Sequence, residues 1–319
     1  MKKKYVLLFF IFINVLAWPQ DNEIFCSSKQ SESKMDASER GGKFLTAAGE
    51  LKVLVVFAKF KDDSTQHQYW PIDSYPDEMN DFIDPDILTK STHFINLTNY
   101  YNQMSYGNYK VIGKAIGVET PYPKSHYISG IKKYPDRTQA NKDILRVVDD
   151  SIDYHDFDNW TYIRDYNHIN APDSIVDMIV IIWRGLVFCE SWTGESSLGG
   201  GQQLLVENNH IKIRMGCGGN ADYGIFGSGV TIQYWEERSP ERNFKTVIHE
   251  LAHWLLNGGH PYKFFKHTSW GMLTLGSEGI CANSFEREKL GWLDPIPIEE
   301  TILRAPMDDY VTTASTYKF

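Results

Sequence analysis

Apolar residues in this chain fall either into short, nearly continuous runs or into longer stretches with helical spacing, and the two kinds alternate. Residues 51–60 are rich in β-branched and aromatic side chains and read as a central strand, as do residues 175–183. Residues 94–104 carry a helical pattern into the turn Ser105-Tyr106-Gly107-Asn108, after which residues 109–118 return to a strand. Residues 139–152 form an amphipathic helix with Ile144, Leu145, Val147 and Val148 on its buried side. Residues 285–292 make a short helix ending at Gly291, with Glu286 and Glu288 as exposed charges. From Thr301 onward the pattern turns β-rich, and Tyr310 to Thr313 favour a strand. Strands alternating with helices predict an α/β or α+β fold, a twisted mixed sheet layered with helices.

The most informative stretch is a helix over residues 240–256. Ser239 is a good N-cap, Pro240 suits the first helical position, and Glu241 complements the helix dipole. Phe244, Val247, Ile248, Leu251 and Leu255 recur at helical spacing, and Asn257-Gly258-Gly259 supplies a stop. On this helix His249 and His253 are four residues apart and so share a face, with Glu250 beside them. His260 follows the Gly-Gly reversal and can return over the pair. Histidines in that arrangement point to a Zn2+ site with ligands His249, His253 and His260. Zinc with an open position lowers the pKa of its bound water to about 7, and Glu250 is placed to act as general base and then acid. The competing reading is of surface histidines on an ordinary amphipathic helix.

Composition adds limits. With 319 residues, 42% hydrophobic and 14% aromatic, the chain can bury one or two large cores. Its net charge of -9 and the lack of a Lys/Arg stripe argue against a nucleic-acid partner. Met1-Lys2-Lys3-Lys4 ahead of the apolar residues 5–17 has the form of a secretory signal peptide cleaved after Ala17, so the mature protein is expected outside the cell and off the membrane. Residues 18–49 read as a linker or short pro-segment, residues 50–300 as the catalytic domain, and residues 301–319 as the start of a C-terminal β-rich segment that is cut short. Of the four cysteines, Cys189 and Cys217 are the preferred disulfide pair, with Cys281 remaining and Cys26 a candidate for a latency switch, a disulfide partner or a free thiol. Asp149, Asp150, Asp153, Asp156, Asp158, Asp173 and Asp177 lie close in sequence and offer either a Ca2+ site or a solvated acidic loop.

Taken in order, residues 51–62, Asn99 to Gly107, Asp177 to Ile181, the His249-Glu250-Leu251-Ala252-His253 helix and Leu290-Gly291-Trp292 resemble the immune inhibitor A group of secreted bacterial metallopeptidases. The likeness runs from about Leu51 to the C-terminus. It implies a zincin fold of metzincin-like kind, acting on protein or peptide substrates, and often calcium-stabilised. By position it implies His249 and His253 as ligands, Glu250 as the catalytic residue, and Met272 as the methionine of a turn beneath the metal. The third ligand departs from the metzincin pattern, since the ligand place holds Gly259 and His260 comes one residue late; Glu278 is the rival. The resulting expectation is a secreted zinc endopeptidase, with an inactive surface-binding protein on the same fold or a zinc amidase on non-peptide amides as alternatives.

Overall fold

Val53 to Ala58 are fully buried on both sides of their strand, which explains why this run is apolar without alternation. The computed structural model describes residues 39–88, 95–130, 133–185, 193–200, 203–216, 227–235, 238–256, 271–273 and 281–294, with the backbone of 296–297 and 317–318. Strand β1 (Gly49–Lys59) lies between β2 (Tyr109–Glu119) and β5 (Ile179–Arg184), parallel to both. The sheet continues through β9 (Gly229–Tyr234), again parallel, to an edge strand β6 (Gly194–Glu195) that runs antiparallel. Two small hairpins, β3 (Thr161–Arg164) with β4 (Asn167–Ile169) and β7 (Gln203–Val206) with β8 (Ile211–Arg214), stand outside this sheet. The molecule is thus a mixed α/β fold with a sheet rich in parallel pairs.

Alternate residues of each strand serve opposite faces. Val53, Val55 and Phe57 point into one core with Val180, Ile182, Val230 and Ile232, covered by α1 (Leu97–Met104) and α3 (Pro240–Leu255). Leu54, Val56 and Ala58 enter the other with Ile179, Ile181 and Trp183, covered by α2 (Arg137–Asp149) and the β7–β8 hairpin. Asn96 and Asp136 cap α1 and α2, each accepting from a backbone N–H three residues on. The expected strand over 175–183 is shorter at its start. Ile175 forms an isolated bridge with Lys212, and Asp177 turns its carboxylate to the amides of Asn159 and Trp160, so regular pairing begins at Ile179.

Polar groups buried in these layers are tied across elements. Asn141 of α2 donates to the Leu198 carbonyl (2.7 Å) and to Thr231 Oγ1 (3.0 Å), and accepts from Trp183 Nε1 (2.7 Å). Thr231 Oγ1 in turn donates to the Ser197 carbonyl at 2.7 Å. Four segments are therefore held at one point, including the turn that leaves β6. At the C-terminal end of β5, Arg184 donates to the carbonyls of Trp70 and Thr65 and pairs with Asp63.

Residues 39–48 fall in the segment expected to be a linker, yet they pack closely. Phe44, Leu45 and Ala47 are buried, while the amides of Lys43 and Phe44 donate to the carbonyls of Leu255 and Trp254. Those are carbonyls of the last helical turn, which has no partners within the helix. Beyond, α4 (Ser284–Lys289) leads to Trp292, which donates through Nε1 to the Ala47 carbonyl and stacks on Tyr109.

Arg184 and Asp63 have side chains only 1% and 5% exposed, so removing the carboxylate strands a buried cation. Asp63→Ala is expected to lower unfolding free energy by about 3 kcal/mol in urea titrations at neutral pH. Burial raises the Asp63 pKa, but the Thr65 and Arg184 bonds outweigh it and hold the group below its ordinary value. Its contribution is therefore present above about pH 4 and lost as the pH falls further, a loss the variant should not show.

Candidate metal centre

α3 begins at Pro240 as its N-terminal signals require, but Ser239 caps through its backbone and makes no side-chain capping bond. Its carbonyl accepts from the amides of Arg242 and Asn243 instead. Phe244, Val247, Ile248, Leu251, Ala252 and Leu255 face the sheet, as their spacing predicts. The remaining face is covered as well, so His249, Glu250 and His253 are 1%, 0% and 0% exposed. Polar groups taken so far out of water need partners or a ligand.

The two imidazoles lie one above the other, ring centroids 5.0 Å apart and planes at 85°. His249 Nδ1 is 3.0 Å from the carbonyl oxygen of Met272. A carbonyl only accepts, so Nδ1 carries a proton, and in the neutral ring Nε2 then keeps its lone pair. This is the arrangement that orients a metal-binding histidine. Met272 itself is buried.

The turn at Met272 is held by Glu286. The expectation of an exposed charge is corrected here: Glu286 is 1% exposed, and its carboxylate accepts from the amides of Met272 (3.0 Å), Leu273 (3.3 Å) and Asn283 (2.9 Å). Asn283 completes a capping box for α4 by accepting from the Glu286 amide. Helical spacing alone places Glu286 on a polar face; only the docking of residues 271–273 makes that face interior. Gly271 permits the approach, with φ of +122° and a backbone so close that a Cβ would stand 2.6 Å from Glu286 Oε1.

Glu250 Oε2 accepts from Ser196 Oγ at 2.8 Å. Ser196 comes just after edge strand β6, whose Gly194 lies against the helix; a Cβ there would be 2.7 Å from Glu250 Oε1 and from Thr246 Cγ2. A glycine is thus what lets the strand come close enough for the serine to reach. Nothing local in the sequence marks Ser196. Glu286 carried a usable signal, the Asn283-x-x-Glu286 capping box.

His249 and His253 could hold a metal ion between them, with Glu250 beside it. His260 and Glu278, the alternative third ligands, lie outside the described residues, as do the signal segment, Cys26, Cys189 and Cys217. Cys281 is an exposed free thiol.

The acidic segment is largely spent on backbone amides, most of them in other segments. Asp158 accepts from the amides of Asp173 and Ser174, Asp177 from those of Asn159 and Trp160, Asp173 from that of Ile175, and Asp149 from that of Glu207. Among the described residues, the acidic group whose donor atoms come within 4.8 Å of one another is Asp153, His155 and Glu207. Asp153 and His155 are exposed and bonded to each other at 2.8 Å. Asp177 borders a cavity of about 40 Å³ with Asp173, His168, Arg214 and Trp254.

No known family model matches the chain, and no curated protein matches it.

Burial pushes the Asp177 carboxyl up to about 8, against the two amides and with help from Asp158 and Asp173. A folded-state pKa above the unfolded one means the native state binds the extra proton, so this group's contribution declines as pH rises from about 4 towards 8. Asp177→Asn should flatten that decline. Melting temperatures measured across pH 5 to 8 would show the variant gaining on wild type as pH rises; a constant difference would contradict it.

Proposed function

We propose that the protein is an exported zinc-dependent endopeptidase with a metzincin-like catalytic domain, akin to the immune inhibitor A group that its motifs resemble. The observation that carries the reading is the burial of His249, Glu250 and His253 together, with His249 turned by the Met272 carbonyl and Glu250 gripped by Ser196. A purely structural helix gains nothing from enclosing two imidazoles and a carboxylate within an apolar cluster. The donor set suits zinc, held by His249 and His253 with a further ligand of which His260 is the preferred candidate. Zinc there would supply Lewis acidity towards a carbonyl and towards water.

The chain's own residues account for the remaining requirements. Glu250 is the proton carrier: it takes a proton from the attacking water and delivers it to the departing amine. The Ser196 hydroxyl limits rotation of that carboxylate and keeps one oxygen engaged. Among the described residues β6 is the edge strand of the sheet and passes beside Glu250, so an extended peptide pairing with that edge would bring its backbone to the carboxylate. This topology favours a peptide over a small non-peptide amide. The charged, apolar N-terminal run of residues 1–17 supports export.

Glu250→Ala should retain stoichiometric zinc and lose at least about 100-fold in casein cleavage. Cleavage at the wild-type rate would refute the mechanism. Ser196→Ala should also retain zinc, and kcat should fall about tenfold while KM stays unchanged, as expected when a transition-state contribution alone is lost. An unchanged kcat would remove Ser196 from the machinery.

A further inference from the structure

We infer that Glu286 is a positioning residue for the metal centre, holding the turn at Met272 so that His249 keeps its proton on Nδ1 and offers Nε2 to the ion. The inference rests on the reading of α3 as the metal-binding helix. It goes beyond that reading by assigning a task to a carboxylate with no place among ligands or proton carriers.

Local structure alone does not explain why Glu286 is buried. A capping box needs its glutamate only to reach the N-cap amide, a bond that an exposed side chain makes equally well. Here the bond to the Asn283 amide is one of three. The other two go to Met272 and Leu273, 14 and 13 residues away, and Gly271 leaves room for them. The carboxylate therefore ties a distant turn to the start of α4.

Met272 is bonded on both sides. Its amide donates to Glu286 and its carbonyl accepts from His249, so displacing the first bond moves the oxygen that selects the tautomer in the second. The platform beneath is firm. Arg287 reaches Tyr106 and Met104 of the α1 end, Arg40 donates to the Glu288 carbonyl, and Trp292 donates to that of Ala47. The ring of His249 is thus referred, through one carboxylate, to elements on the far side of α4. Loss of a group that orients a ligating histidine typically weakens metal binding by about 10- to 100-fold.

The test compares Glu286→Gln with Asn283→Ala in the full chain. Gln keeps the volume but replaces one accepting oxygen by an amide NH2 that faces the turn's own N–H groups. Ala at 283 removes the same helix cap while keeping the backbone amides that Glu286 binds, and so controls for loss of stability. Zinc affinity is measured by chelator competition, and the absorption spectrum is recorded after cobalt substitution. Glu286→Gln should weaken zinc about tenfold or more and alter the cobalt spectrum, while Asn283→Ala, although less stable, keeps wild-type affinity and spectrum. Should Glu286→Gln fail to fold, Glu286→Asp is measured in its place with the same expectation. Wild-type affinity and spectrum in the Glu286 variant would overturn the inference, as would equal weakening in both variants. If wild type itself binds no zinc, the proposed function falls first, and that outcome is distinguishable from failure of Glu286 alone.

Discussion

Enclosing residues 246–255 of α3 on every side is the constraint to which the surrounding structure answers. A helix that buries only an apolar stripe can leave its polar residues in water, but this one takes His249, Glu250 and His253 inside with Leu251 and Ala252. In such surroundings a hydrogen bond is stronger than in water and a missing one more costly. The chain meets the demand from two directions. An edge strand brings Ser196 to the carboxylate, and the 271–273 turn brings a carbonyl to the imidazole.

Both approaches depend on residues with no side chain. Gly194 allows β6 to lie against the helix, and Gly271 allows the turn to lie against Glu286. The groups so delivered are fixed in turn by contacts well away from the site. The turn after β6 is pinned by Asn141, Trp183 and Thr231, and the 271–273 turn is pinned by the carboxylate of Glu286. Even the end of α3 is finished by another segment, since residues 43 and 44 satisfy its last carbonyls. The polar groups of one helix are thus held by the mixed sheet, by α2 and by α4 together.

Acidic residues show how the same side chain serves different ends. Asp158, Asp173 and Asp177 are among the residues offered as a calcium site, and in the fold each accepts from backbone amides, Asp173 within its own turn and the other two across to another segment. Asp177 is driven towards its protonated form by burial, whereas Asp63 is held ionised by Arg184 and backbone donors. Charge state follows from the partners each group meets.

How much of this could be read beforehand depends on the range of the interaction. The strand at β1, the turn at residues 105–108, the amphipathic α2 and the span of α3 with its paired histidines follow from spacing and caps, which act over a few residues. Burial of Glu286, the role of Ser196, the packing of residues 39–48 and the antiparallel edge strand could not be read that way. Each arises where segments from 13 to about 200 residues apart are brought into contact, and a six-residue helix or two-residue strand has too little pattern of its own to announce it. The sequence by itself determined that two imidazoles and a carboxylate sit together on one helix. The tertiary structure decided how they are held, because a hydroxyl from β6 and a carbonyl from the Met272 turn reach them only after the sheet and α4 have packed.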